Sequence, residues 1–394
     1  MNVIQRLNEF VVFATSLQFL HPRTLGMKVT SNGNVSAARS GSFVLRTGRL
    51  LRIGYVPLLD SAPLVVAHGL GFFEREGLAT TLLRQPGWAC VRDKMLYGEI
   101  DAAHAPAGFL FAINAGATSN VGRCLTAFIM SAQGNGITLS RALYDRGVRD
   151  VKDLAAEVKA RRSEVVTIGI VSKHSSHAHL LRAWLQQGGI EPDRDVRIVV
   201  LPPQQMVISL AAGHLDGFCA GEPWNTLAVS EGCGWVATSS AKLAPMHPEK
   251  VLLVHEDFAQ QHHEEHMGLL RAQQAACHWC AQPENRDTLV KLLARWVFLA
   301  MPEKLLRESL SGPLAPIFEA PGLHEPSPDK AGWVLGEMRR QCLLPAAIKD
   351  GELLECFRMD LHNAMNSGDG ALHHEAEVLA ARHSKTPRKR TSSR

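Results

Sequence analysis

From about Leu50 onward the chain alternates short, solid apolar runs with longer stretches whose apolar residues recur at helical spacing. Leu51 to Val56 (LRIGYV) reads as a strand. Asp60 and Ser61 stand where a helix cap belongs, with Pro63 early in the helix and Leu64 to Gly69 continuing it. Gly71 to Glu76 (GFFERE) is a second helical piece, and Thr80 to Leu83 is the next strand. Trp88 falls in the loop after it; Val91, Met95 and Leu96 then share one helical face up to Gly98, and Ile100 to Ala105 is a third strand. Strands and helices alternating at this spacing predict an α/β fold with a mostly parallel, covered sheet.

The second half repeats the rhythm. An apolar run, Arg123 to Met130, leads into SAQGNGITLS (Ser131 to Ser140), where glycines flank Asn135. A helix opens at Val151, Val165 to Val171 is a strand, and the loop SKHSSH runs into a helix from His179 to Gln187. Arg197 to Leu201 is a strand that ends at Pro202 and Pro203; Gln205 to Ala212 is helical, and His214 to Ala220 is the following strand. GEPWN (Gly221 to Asn225) follows, where Glu222 caps or bridges; Trp235 to Ser239 is a strand, Ala244 to Lys250 (APMHPEK) a loop, and Val251 to His255 apolar again.

Length adds the domain count. The 394 residues, 46% of them hydrophobic, suffice for two cores of ordinary size and predict two lobes. A net charge of +4, from 42 basic and 38 acidic residues, is too balanced for a broad nucleic-acid surface. Part of the excess sits in KTPRKRTSSR (Lys385 to Arg394), a composition that reads as a solvated, disordered tail. Eight cysteines lie without framework spacing, which favours a reducing compartment; Cys277 and Cys280 (CHWC) fall inside a helical run and not at the turn a redox motif needs. Phe10 to Leu20 is interrupted by Gln18 and preceded by Glu9, so it reads as no secure export signal, and no run reaches the roughly 20 residues that span a bilayer. Ser31 to Gly48 reads as a flexible leader, with Met27 an alternative start.

Several residues bear on chemistry. The Trp88 indole N–H is a donor with no acceptor and suits an anion in the crevice of an open sheet; packing over a neighbouring loop is the competing role. The glycines beside Asn135 free the backbone to approach a ligand next to its amide. Ser175, Ser176 and His177 stand at a helix amino terminus, which favours a negative ligand, with plain capping as the alternative. Lys250 is a point charge suited to a small oxyanion, or a surface lysine. His262, His263 and His266 with Glu264 and Glu265 (HHEEH) miss zinc-hydrolase spacing and read as a solvated helix face.

Taken as a co-linear set, IGYVPLLDSAPLVVAHGLGFFEREGL, QPGWACVRDKMLYGEIDAAH, GNGITL, SSHAHLLRAWL, VVLPPQQM, DGFCAGEPWN, HPEK and SPDKAGWVLGEMRRQ resemble the nitrate and bicarbonate binding proteins of the NrtA/CmpA/NasS type, over about Leu50 to Gln341. The resemblance implies a two-lobed periplasmic-binding-protein-like fold of the second type, with Arg123 to Met130 and Val251 to His255 as crossovers. It divides the chain into a leader (1–49), lobe I (50–130 and 251–375), lobe II (131–250) and a basic tail (376–394). It places an anion on Trp88, Asn135, His177 and Lys250, with Pro203 lining the pocket; Asn135 departs from the Gln usual in nitrate binders. Bicarbonate binders tend to place a carboxylate with bound calcium where Lys250 lies, so the lysine points to nitrate or nitrite, as does the requirement that such a pocket present no carboxylate. No cofactor, metal or enzymatic role is expected; the thiamine-pyrimidine synthases on this fold carry a CCCFC run that this chain lacks.

The family divides by location. Transport receptors carry a signal peptide and work with an ABC permease and ATPase, whereas the NasS branch is cytoplasmic and holds an RNA-binding antiterminator until the anion binds. The amino-terminal reading favours the cytoplasmic nitrate/nitrite sensor, with an exported transporter component as the alternative; direct nucleic-acid contact and a membrane span are not expected.

Overall fold

The fold is taken from a computed structural model that describes residues 49–117, 122–161, 164–295 and 297–367. The leader before Arg49, the export-signal reading at Phe10 to Leu20 and the tail over 376–394 lie outside the described residues. β1 (Leu50–Tyr55) pairs in parallel with β2 (Ala79–Arg84) on one side and β3 (Ala102–Pro106) on the other. β11 (Pro248–His255) returns from far along the chain to run antiparallel beside β3, and carries β4 (Cys124–Leu125) and β5 (Ile129–Ala132) on its other edge. The sheet order is therefore β2-β1-β3-β11-β4, with β5 also on β11. β3, β5 and β11 are buried on both faces, while β2 at the edge is mostly half-buried.

The second sheet, in the order β10-β6-β9-β7-β8, has a parallel part and an antiparallel part. β7 (Thr167–Ile170) lies parallel between β8 (Arg197–Val200) and β9 (Gly217–Gly221). β6 (Asn135–Ser140) runs antiparallel between β9 and β10 (Gly234–Ser239). Two α/β lobes result, the two-lobed type 2 binding-protein fold.

The chain leaves lobe I at Gln133 and Gly134, both with positive φ (61° and 94°), and returns between Leu243 and Pro248. A Cβ on Gly134 would stand 3.0 Å from Pro316, so left-handed backbone and close approach both call for glycine there. Arg123 to Met130 and Val251 to His255, expected as crossovers, are instead largely lobe I strand, because buried apolar residues need ladder partners for their backbone groups.

Lobe II has its own core around Leu139, Ile168, Leu181 and Leu185, but its other face shares one with lobe I through Met206, Phe218 and Trp224. The lobes also meet through polar contacts: the Leu59 N–H donates to the Glu222 carbonyl (2.8 Å), and Gln204 Nε2 to the Pro86 carbonyl (2.9 Å). Where the helix Ala107–Asn114 faces lobe II, a Cβ on Gly108 would lie 2.3 Å from the His174 carbonyl oxygen. The long helix His263–Ala281 packs on lobe I. Its HHEEH run is not wholly solvated: His263 and Glu264 are exposed, but Glu265 and His266 turn into the core, Glu265 pairing with His262 (2.9 Å). Among the described residues no helix is long and apolar enough to cross a membrane.

Candidate functional site

The site forms where β1 and β3 of lobe I end and β11 begins, against β6 and the helix Ser176–Gln187 of lobe II. Lys250 is fully buried, with Nζ 2.7 Å from Asp60 Oδ2 and 2.5 Å from Glu249 Oε1. Successive strand residues ordinarily face opposite sides of a sheet. Here the β11–β5 register shifts on either side of Lys250, a local irregularity that accompanies the meeting of the Glu249 and Lys250 side chains. Pro248 to Lys250 thus start a buried strand and are not a loop, the correction that changes the site most.

Glu249 gathers donors from both lobes. Its Oε2 accepts from Asn135 Nδ2 (2.6 Å), from the Ser176 hydroxyl and from His247 Nε2 (2.9 Å). Lys250 donates to Oε1, and His177 Nε2 stands 3.2 Å from that oxygen, outside hydrogen-bond alignment. Burial alone would raise the Glu249 carboxyl, but the Lys250 ammonium and the His177 and His247 rings outweigh it and hold it well below 4.5. Burial lowers Lys250, and Asp60 and Glu249 overcome that to hold it above 10.5. At Asp60 burial is offset by Lys250 and by His104, whose Nε2 lies 3.2 Å from Oδ1, so this carboxyl too falls below 3.8. Burial prevails at His104 and His177, keeping both below 6.5.

Trp88 walls the cluster. It is the first residue of the helix Trp88–Leu96, not a loop residue, and it is 1% exposed. Its ring lies 5.0 Å from the His104 ring and 5.5 Å from Lys250 Nζ. Its Nε1 has no hydrogen-bond partner, nor do the buried His104 Nδ1, Ser131 Oγ, Asn135 Oδ1 and His177 Nδ1. His247 closes the rim from the returning crossover, both ring nitrogens facing acceptors (Ala244 O and Glu249, each 2.9 Å), with the Trp333 ring 5.4 Å away. Asn135, Ser176 and His177 are thus held by the crossing glycine and by the first turn of a helix; neither Ser175 nor Ser176 caps that helix with its side chain.

The structure therefore brings Trp88, Asn135, His177 and Lys250 into one buried cluster. Pro203 begins the helix Pro203–Ala211, next to the inter-lobe contact of Gln204, and shares no hydrogen bond, ion pair or ring contact with the cluster. Sequence reasoning missed Asp60, His104, Ser176 as a Glu249 donor, and Glu249 itself. Asp60, read as a helix cap, makes no capping bond and faces Lys250 instead. The expectation that the pocket presents no carboxylate is overturned, since two carboxylates touch Lys250, and the preference for nitrate over bicarbonate loses that support. The Lys250 ammonium takes the position between them that a cation would hold. Among the described residues no His, Cys, Asp and Glu grouping is arranged to hold a metal.

A family model described as the NMT1-like family matches residues 48–294. The Synechococcus elongatus protein named bicarbonate transport ATP-binding protein CmpC is 34% identical over 362 residues, 90% of this chain and 54% of that protein. The nitrate/nitrite binding protein NrtA of the same species is 33% identical over 255 residues, 62% of this chain and 57% of that protein. The chain spans about half the length of the curated relatives it matches (54% for CmpC; 44% for the Synechocystis protein named nitrate import ATP-binding protein NrtC). The crystal structure of the periplasmic nitrate-binding protein NrtA from Synechocystis superposes with a TM-score of 0.72 at 24% identity, over 86% of this chain and 89% of that one, a likeness of fold.

Proposed function

This chain belongs to the NMT1-like family, in its nitrate- and bicarbonate-binding NrtA/CmpA group, and from that premise we propose that it is the substrate-binding component of an ABC-type import system for a small planar oxyanion such as nitrate, nitrite or bicarbonate. One observation carries this reading. Neutral donors of lobe II and the Lys250 ammonium of lobe I converge on a single planar carboxylate group, Glu249, between the lobes. A planar group with two or three oxygens is what this donor set fits, while the Trp88 wall limits its size. Four charge-assisted bonds of about 1.5 to 3 kcal/mol each are enough for micromolar affinity after the cost of association. The role is binding, with no bond made or broken.

Partners and place follow the same relatives. CmpC and NrtC are named as ATP-binding proteins of bicarbonate and nitrate import, which supports an ABC permease and ATPase as partners and supports delivery from the periplasm. The sensor holding an RNA-binding antiterminator in the cytoplasm gives way to this reading, which the named relatives support better. Calorimetric titration with nitrate, nitrite, bicarbonate and an alkanesulfonate tests the ligand class: micromolar binding of one or more of the first three is expected, and binding of the alkanesulfonate alone overturns it. Co-purification from cells with a permease and ATPase, and recovery from the periplasmic fraction, are the expected outcomes for partner and location. Capture of an antiterminator from the cytosol reinstates the sensor.

A further inference from the structure

The group in the cleft with the most donors around it is an acceptor, the Glu249 carboxylate. Asn135, Ser176 and His247 serve one of its oxygens and Lys250 the other, with His177 beside it. Resting on the oxyanion reading above, we propose that Glu249 determines which anions the site accepts, because its carboxylate fills the oxyanion position as a tethered ligand that a free monoanion replaces only together with one proton.

Shape and donor counting lead there. A carboxylate matches nitrate and bicarbonate in planarity and in its oxygen spacing, so the same donors serve any of the three, one at a time. Lys250 cannot answer a second anion freely, since Asp60 already holds it at 2.7 Å. An anion that takes these donors leaves Glu249 buried at 0% exposure without them, and a buried carboxylate without partners is strongly disfavoured. A proton from solvent removes that charge; the anion enters and leaves whole. The charged and titratable groups around Glu249 are Lys250 on its own strand, Asp60 and His104 of lobe I, His177 and His179 on the helix Ser176–Gln187, His247 on the crossover and Cys219 on β9. The strong hold on the ionised form of Glu249 means that the free protein carries this group charged throughout the neutral range.

The test is calorimetric titration of sodium nitrate and of sodium bicarbonate into the full chain and into Glu249→Gln, in phosphate and in Tris, at pH 7 and pH 8. Heats that differ between the buffers by the difference of their two ionisation enthalpies, once per anion bound, and a wild-type nitrate Kd that weakens about tenfold from pH 7 to pH 8, are expected for one linked proton. Glu249→Gln is expected to bind nitrate at least about tenfold more tightly at pH 8 and to lose the pH slope. The wild-type proton count decides alone if the variant does not fold. Buffer-independent wild-type heats, or equal Kd values and slopes in the two proteins, overturn the role of Glu249 and leave the oxyanion reading standing. Binding of neither anion to either protein overturns both.

Discussion

The two lobes bring different physics to one cleft. Lobe I supplies formal charge, with Lys250 within ion-pair distance of both Asp60 and Glu249, while lobe II supplies Asn135, Ser176 and a His177 that burial keeps neutral. Lobe I therefore sets two carboxylates against one ammonium, and the neutral donors of lobe II serve the carboxylate Glu249 from across the cleft. The difference teaches that affinity and lobe contact are set separately: the charge is fixed on one side, and orientation comes from neutral dipoles on the other.

Removing the charge from lobe I has the largest expected effect. Lys250→Ala strands two buried carboxylates and is expected to cost about 3 to 5 kcal/mol of folding stability by urea denaturation, with part regained when Asp60→Asn is added. Equal stability of Lys250→Ala and wild type would dissolve the contrast between the lobes. On the other side, Asn135→Ala removes a neutral donor from a charged acceptor and is expected to cost about 1.5 to 3 kcal/mol in the same assay. A loss as large as that of Lys250→Ala would show lobe II to be as heavily committed as lobe I.

Acid probes both lobes through their buried histidines, and then reaches the carboxyls of lobe I. Burial pushes His174 and His179 of lobe II and His266 of lobe I down to about 4 and lowers His177 and His104 as well, so below pH 6.5 the unfolded chain takes up protons that the folded chain declines. Stability is therefore expected to fall from pH 6.5 towards 4, by about 1.4 kcal/mol per pH unit for each proton, as read from denaturation midpoints. The depressed carboxyls Asp60 and Glu249 add their loss later, as pH drops below their unfolded values of 3.8 and 4.5. A flat profile between pH 6.5 and 5 contradicts neutral, buried histidines in both lobes. The smallest effect belongs to Trp88→Phe, which deletes an unpartnered donor and keeps most of the wall: about 1 kcal/mol of anion affinity, less than for His177→Ala.

The sequence was informative about elements and poor about who meets whom. Apolar runs at β1, β3 and β7 and the helix spacing after Trp88 announced the α/β lobes, and the family resemblance singled out Trp88, Asn135, His177 and Lys250, which the fold gathers together. Glu249 was hidden because strand alternation turns it away from Lys250; the irregular pairing beside β5 that accompanies their meeting has no signature in HPEK. Asp60 was hidden because a carboxylate before Pro63 looks like a helix cap, and only the sheet order β1-β3-β11 puts it across from Lys250. His104 sits in an apolar stretch, and a single polar residue there gives no hint that the neighbouring strands bring Asp60 to it.

At Gly108 the clearance between the lobes is smaller than a methyl group, since a Cβ there would fall 2.3 Å from the His174 carbonyl oxygen. The missing side chain works as a machined seat: the bare backbone of one lobe beds against the backbone of the other, beside the edge-on rings of Phe109 and His174. One added carbon at Gly108 would act as a shim between the lobes without touching Lys250, Glu249 or Asn135.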